Sequence, residues 1–106
     1  EVENMAKKFF VKENKTLVEP IVINTSISSS NWSTSAPYTF TYSNSLIKED
    51  MVFIVDIKLN SSTSIASKEA EEYIKLSKVE TFNGSVKFTC LSEKPNITLN
   101  LQLKEV

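Results

Sequence analysis

The chain has no histidine and no arginine, and among its 106 residues there is one cysteine and one glycine. Without histidine, the commonest general base and transition-metal ligand is missing. A single cysteine can form neither an internal disulfide nor a structural zinc site. A single glycine cannot build the glycine-rich loop that cradles phosphate groups. We therefore expect a protein that is not an enzyme and has no catalytic residues, metal or cofactor.

The charge is almost balanced, with 12 basic and 13 acidic residues and a net charge of −1. Every basic residue is a lysine, whereas proteins that read nucleic acid commonly use a basic stripe and the rigid fork of arginine. No apolar run approaches the roughly 20 residues of a membrane span, and no charged-then-apolar signal segment opens the sequence. We expect neither a nucleic acid nor a membrane as a partner.

The length and the 41% hydrophobic content are typical of one ordinary domain. We therefore predict one folding unit over residues 1–106. Met5 lies close to the beginning and is followed by Ala6-Lys7-Lys8. Residues 1–4 are either native or a remnant ahead of a start at Met5, and the sequence leaves this open.

The one glycine marks a hairpin. Asn83-Gly84 separates two stretches in which apolar and polar residues alternate, and this pair supplies the two left-handed positions of a tight turn. A third alternating stretch begins at Asn96, so the sequence predicts a C-terminal three-strand meander. Its inward positions are apolar: Val86, Phe88, Cys90, Ile97, Leu99, Leu101 and Leu103. A buried structural Cys90 is favoured over a reactive thiol, because no histidine is present to activate it.

Earlier strands are indicated by shorter patterns. Residues 7–19 suggest an edge strand, a turn and the start of another strand, and residues 21–23 suggest a buried strand. Residues 24–36 read as a long exposed loop around Trp32. Residues 38–43 alternate aromatic and hydroxyl side chains, and residues 51–59 form a strand that we expect to be central and half covered on its back.

One helix is predicted at about residues 65–77, with Ser64 as its cap. We expect its buried side to contain Ala66, Ala70, Tyr73, Ile74 and Ser77. We expect its solvated side to contain Lys68, Glu69, Glu71, Glu72 and Lys75, with Glu71 and Lys75 as an ion pair. The pairs Glu69/Glu72 and Asp50/Asp56 are the nearest candidates for a carboxylate pair, but both have ordinary solvated explanations.

The predicted fold class is therefore mainly β, of the α+β type. It is a small antiparallel β-sandwich, or a sheet, with one inserted helix and the C-terminal meander. Neither an internal repeat nor a domain boundary is visible in the sequence.

Aromatic residues are the remaining candidates for a function. Trp32, Tyr38 and Tyr42 lie in or beside the polar loop, where they could stack on sugar rings or bury in a partner subunit. The alternative is that Trp32 folds back over the core and that Tyr38 and Tyr42 belong to the core. Phe9 and Phe10 are further candidates for a subunit contact.

A series of short motifs covers about two thirds of the chain from Trp32 onward. The motifs are Trp32-Ser33, Ala36-Pro37-Tyr38-Thr39, Phe53-Ile54-Val55-Asp56-Ile57, the helix with Glu69 to Tyr73, Gly84-Ser85-Val86-Lys87-Phe88-Thr89-Cys90 and Glu93-Lys94-Pro95. In order and spacing this series resembles a small module of phage and prophage structural proteins from low-GC Gram-positive bacteria, especially clostridia. The module occurs alone or at the end of fibre-like proteins.

The resemblance implies a non-enzymatic protein of the virion surface, such as a capsid decoration protein, a head fibre or a tail-fibre tip. It also implies a homo-oligomer, with a trimer favoured, and contacts with other virion proteins. The alternative hypothesis is a carbohydrate-binding or adhesion module that recognises a host-surface glycan through Trp32 and a neighbouring tyrosine.

Overall fold

The computed structural model describes residues 20–106. The predictions for residues 1–19, including Phe9 and Phe10, lie outside this range. The described chain forms six strands and one α-helix, with a short 3-10 turn at Ser29–Asn31. In chain order the elements are β1 Val22–Ile27, β2 Tyr38–Ser43, β3 Phe53–Ile57, α1 Thr63–Tyr73, β4 Lys78–Phe82, β5 Ser85–Cys90 and β6 Leu99–Glu105.

The strands form two antiparallel sheets of three strands each. Sheet A has the order β1-β6-β3, and sheet B has the order β2-β5-β4. The predicted mainly β class with one inserted helix is confirmed. The central strands, β5 and β6, each have a hydrogen-bonded neighbour on both sides.

One apolar cluster joins the two sheets. Its fully or almost fully buried side chains come from β1, β5, β6 and two connections: Ile23, Ile27, Trp32, Ile47, Val86, Phe88, Cys90, Leu99, Leu101 and Leu103. The sequence predicts that all six side chains from β5 and β6 in this cluster point inward, and the structure confirms this. Alternation with a period of two places these side chains on one face of each strand, as a face-to-face sheet pair requires.

The predicted C-terminal meander is wrong in its last step. β6 does not lie beside β5 but crosses to sheet A, where it pairs with β1 and β3. Both edges of β5 are already occupied by β2 and β4, so sheet B has no position for β6 next to β5. The connection at residues 91–98, which contains the fully buried Pro95, is long enough to change sheets.

The hairpin at Asn83-Gly84 is confirmed. Gly84 has φ +87°, in the left-handed region that favours glycine. Its N–H donates to the Ile47 carbonyl (2.8 Å), and its own carbonyl accepts from the Asn44 N–H (2.9 Å). The side-chain carbonyl of Asn83 accepts from the Glu49 N–H at 3.0 Å. The hairpin tip is therefore attached to the connection between β2 and β3.

Two strands differ from the sequence prediction. β1 continues to Ile27, so its second half replaces the beginning of the predicted exposed loop. Ile27 is completely buried, which explains why the strand continues through Ser and Thr positions. β3 covers only Phe53–Ile57 and is an edge strand, not a central one, since β6 occupies the centre of sheet A.

The helix α1 begins two residues before the predicted start and ends four residues before the predicted end. Its N-terminal flanking residue is Ser62, not Ser64. After Tyr73 the chain turns, and the Ser77 N–H already donates to the Thr89 carbonyl of β5 (2.8 Å). The backbone at Ser77 therefore belongs to the beginning of sheet B, and the helix cannot continue through it.

The helix reaches the β3 edge of sheet A through one hydrogen bond. The Val106 N–H donates to the Val52 carbonyl (2.9 Å), and the Lys58 N–H donates to the Asn100 carbonyl (2.7 Å). The even-numbered residues on the β3 side therefore form the backbone hydrogen bonds to β6. The carbonyl of Val55 therefore points away from β6. It accepts a hydrogen bond from the Tyr73 hydroxyl at 2.9 Å. This hydrogen bond occupies one outward-facing acceptor of the β3 edge.

Candidate functional site

Trp32 belongs to the core. Only 3% of its surface is exposed, and its ring meets Phe40 edge-on with ring centres 6.4 Å apart. Backbone hydrogen bonds hold its position, since the Ser33 N–H donates to the Thr39 carbonyl and the Thr39 N–H donates to the Ser33 hydroxyl, each at 3.0 Å. The interpretation of Trp32 as a cover of the core is confirmed, and the indole does not form an exposed stacking platform.

Tyr38 and Tyr42 are half-buried residues of β2. Both pack against the core cluster on the inner face of sheet B. The ammonium of Lys94 lies 5.5 Å from the centre of the Tyr38 ring, a cation–π distance. The candidate aromatic residues that the structure describes are thus gathered inside the sandwich, while Phe9 and Phe10 are outside the described range.

The expectation of a solvated Glu72 is wrong. Only 8% of this residue is exposed. Its Oε1 accepts from the Lys75 ammonium at 2.8 Å and from the Asn96 backbone N–H at 2.9 Å. These two hydrogen bonds, with that to Lys75 the stronger cause, hold the pKa of Glu72 below its ordinary value of 4.5. The carboxylate ties the helix to the connection between β5 and β6.

The predicted ion pair between Glu71 and Lys75 is also wrong, because Lys75 turns to Glu72 and Glu93 instead. The Lys75 ammonium lies 3.5 Å from the Glu93 carboxylate. The hydrogen bond to Glu72 raises the pKa of Lys75 above its ordinary value. Lys75 thus bridges the end of the helix and the connection between β5 and β6.

Glu69 is buried as well, with 4% of its surface exposed. Its Oε1 accepts from the Asn60 backbone N–H at 2.7 Å. The loop between β3 and α1 is therefore held against the helix by a carboxylate. Asp50 and Asp56, the other candidate pair, are exposed, in agreement with their solvated explanation.

Cys90 is completely buried, as predicted. Burial disfavours the thiolate and raises the pKa of Cys90 to about 11. Cys90 therefore acts as a small apolar residue of the core.

Two further findings concern residues 20–106 only. Their cysteine, aspartate and glutamate side chains form no group of three or more that could hold a metal ion. None of the helices in this part of the chain is long and apolar enough to cross a membrane.

The outer face of sheet A is the most continuous exposed surface that the strand registers define. Its side chains form cross-strand rows from β1 through β6 to β3. The rows are Val22–Lys104–Ile54, Asn24–Gln102–Asp56 and Ser26–Asn100–Lys58, the last of which is extended by the Lys58–Asn100 backbone hydrogen bond. One end of this face is apolar and the other is rich in amides.

The apolar end consists of four side chains, which we call the apolar patch: Val22, Val52, Ile54 and Val106. Each of them is more than half exposed. Val52 and Val106 adjoin the first row, because their backbones are hydrogen-bonded at 2.9 Å. Exposed apolar side chains that lie near one another can mark an interaction surface, and here Lys104 lies between Val22 and Ile54.

The amide-rich end opens into a groove of about 340 Å³. We call it the amide groove and define it by the polar residues that line it: Asn24, Thr25, Ser26, Lys58, Asn60, Glu69 and Asn100. The exposed Leu59 adds an apolar side. Ser26 donates to the Asn100 side chain, which links β1 to the central strand.

The outer edge of β1 is the third feature of this surface. The Glu105 N–H donates to the Ile21 carbonyl at 2.9 Å. The backbone N–H and C=O groups of the odd-numbered residues of this strand therefore point toward β6. The N–H and C=O groups of Val22, Asn24 and Ser26 consequently point away from sheet A. They make no hydrogen bond to any other residue of the described part of the chain.

Comparisons with protein-family models, with curated proteins and with solved structures found no match for this chain.

Proposed function

We propose that this chain is a non-catalytic structural module of a phage virion, acting as a capsid decoration, head-fibre or tail-fibre component. It works by self-assembly and surface display. The resemblance of the motifs from Trp32 onward supports the virion assignment. The observation that carries the self-assembly is the apolar patch, which lies beside the outward-facing edge of β1.

The apolar patch favours burial against another protein surface. Val22 and Ile54 each have 54% of their surface exposed. They occupy the strand positions on either side of Lys104. Covering such side chains would contribute about 25 cal/mol for each Å² of apolar area removed from water. Lys104 lies between these two side chains and pairs with Asp56 at 3.8 Å, so an interface here would combine apolar side chains with one ion pair.

The edge of β1 favours the same role. Its sequence, VINTSI, contains no charged residue and no proline, the features that commonly protect an edge strand from pairing. A strand from another subunit can therefore extend sheet A at this edge, while other residues of that subunit cover the apolar patch. We propose a homo-oligomer, with a trimer favoured because fibres and capsid three-fold axes present three copies.

Immunogold electron microscopy tests the virion assignment. An antibody raised against the purified chain is applied to phage particles induced from the bacterium that encodes it. We expect gold particles at a fixed location on heads or tails, and no label on particles from a strain in which the gene is deleted. Label confined to bacterial cells, with unlabelled particles, would contradict the proposal.

A further inference from the structure

We propose that the amide groove is a binding site for a neutral saccharide. The site goes beyond the proposed assembly role, because it occupies the opposite end of the outer face of sheet A from the apolar patch. It also differs from the stacking site expected at Trp32, which is buried. A groove of about 340 Å³ falls within the range of small-molecule sites, roughly 300–1,000 Å³.

The charge of the groove favours a neutral ligand. Lys58 supplies its one positive charge and Glu69 its one negative charge, and the other polar lining side chains are amides, a serine and a threonine. The Glu69 carboxylate is engaged with the Asn60 N–H at 2.7 Å. An anionic or cationic ligand would therefore meet charges of both signs rather than a complementary field.

The hydrogen-bonding groups of the groove match hydroxyl groups. A primary amide donates and accepts at the same time, as a sugar hydroxyl does. The side-chain nitrogens of Asn24, Asn60 and Asn100 make no hydrogen bond to any residue of the range 20–106. Three residues that line the groove thus keep an amide donor with no partner in this range, and a ligand with several hydroxyls can bind these donors.

The acceptor oxygens of the same amides are held in place, which orients the free donors. The Asn24 oxygen accepts from the Gln102 amide at 3.3 Å and from the Lys58 ammonium at 3.4 Å. The Asn60 oxygen accepts from the Ser62 N–H at 2.8 Å. Binding groups that are already oriented lose less conformational entropy when a ligand arrives.

Leu59 gives the groove the apolar surface that a sugar ring requires. Just over half of its surface is exposed, although it directly follows Lys58 at the end of the sheet. The C–H groups on one side of a pyranose ring can cover this side chain while the hydroxyls reach the amides. The chemical class that fits is therefore an uncharged oligosaccharide.

A ¹H–¹⁵N NMR titration of the full chain tests the site. The probes are maltotriose, cellotriose, triacetylchitotriose and, as an acidic comparison, trigalacturonic acid. We expect at least one neutral trisaccharide to shift the amide signals of Asn24, Asn60 and Asn100 in a saturable way, with a Kd of about 1 mM or tighter. Asn100→Leu should weaken this binding at least about tenfold, since it removes a hydrogen bond from the centre of the groove.

Thr41→Leu is the control, since Thr41 is an exposed strand position of sheet B that lies outside both the groove and the apolar patch. It should bind the saccharide as the wild type does. Asn24→Leu, on the exposed edge strand, is a second test variant if Asn100→Leu folds poorly. The proposal is overturned if no neutral saccharide shifts the groove signals, if only the acidic probe does, or if both asparagine variants bind normally. Self-association is measured separately, so a failure here leaves the assembly proposal standing.

Discussion

Glu72 accepts a hydrogen bond from the Asn96 backbone N–H at 2.9 Å, across 24 residues of sequence. The Asn96 N–H lies in the connection that carries the chain from sheet B to sheet A, where no strand partner is present to satisfy it. The Glu72 carboxylate supplies a charged acceptor for this N–H, and a charge-assisted hydrogen bond from the helix stabilises the crossing. The helix thus fixes the route of the chain between the two sheets.

Replacing Glu72 by glutamine should destabilise the protein by about 1–3 kcal/mol, because a hydrogen-bonded charge in a mostly buried position is lost. The midpoint of urea unfolding, followed by circular dichroism, measures this change. Glu71→Gln is the matched control on the exposed side of the same helix, and it should change the free energy of unfolding by less than about 0.5 kcal/mol. Equal effects of the two substitutions would contradict the role given to Glu72.

The Glu72 carboxylate also makes the free energy of unfolding depend on pH. The pKa of Glu72 is lower in the folded protein than its ordinary value of 4.5. Its contribution is therefore present above pH 4.5 and is lost as the pH falls through the lowered folded-state pKa. Urea midpoints at about pH 6, 4.5 and 3 should fall more steeply for the wild type than for Glu72→Gln. Parallel curves for the two proteins would rule out this linkage.

Gly84 should tolerate asparagine better than alanine. Nothing lies within 4 Å of a Cβ atom built at this position, so the cost of a side chain comes from the backbone at φ +87° and not from a clash. Gly84→Ala should lose about 1–2 kcal/mol of stability, and Gly84→Asn less, because asparagine enters the left-handed region more easily. Thermal unfolding of both variants gives the comparison, and an alanine variant as stable as wild type would be incompatible with the tight turn.

Trp32 is the one tryptophan of the chain and should report a buried environment. We expect blue-shifted emission in the native protein and several-fold weaker acrylamide quenching than in urea. Trp32→Ala should cost about 3–5 kcal/mol, since it leaves a large cavity beside Phe40. Ile74→Ala, at a residue that is 79% exposed, should cost little. Strong quenching of the native protein would show that Trp32 is accessible to solvent. It would then support the hypothesis that Trp32 stacks on a sugar ring.

The sequence predicts the parts of this fold that local chemistry determines. Asn83-Gly84 requires a tight turn wherever the flanking strands go, and the alternation around Phe88 and Leu101 identifies the buried face of each strand. The partner of β6 is different, because it depends on which sheet edges remain open after the other strands pair. Residues 91–98 contain no local signal that distinguishes a hairpin from a crossing.

The buried side of the helix differs from the prediction, since Ala70 and Ile74 are exposed, and the reason is physical. Glu69, Glu72, Tyr73 and Leu76 follow the spacing i, i+3, i+4, i+7 that predicts one helical face. The side-chain pattern predicts solvated carboxylates, because glutamate is seldom buried without a partner. Here Glu72 has the Lys75 ammonium as a partner, and both glutamates also accept from backbone N–H groups of two connections, which a pattern of side chains does not reveal. The amide groove was missed for a related reason, since it forms only when β1 and β3 flank β6.

The most direct test of the account is the solution mass of the protein and of two lysine variants, measured by sedimentation velocity up to about 0.5 mM. Ile54→Lys places a charge in the apolar patch, and Ile74→Lys is the matched control at an exposed isoleucine of the helix end, outside the patch. We predict that the wild type and Ile74→Lys sediment as an oligomer of the 12.0 kDa chain, while Ile54→Lys is monomeric. A monomeric wild type over the whole concentration range, or an Ile54→Lys variant that assembles normally, would contradict self-assembly through this face.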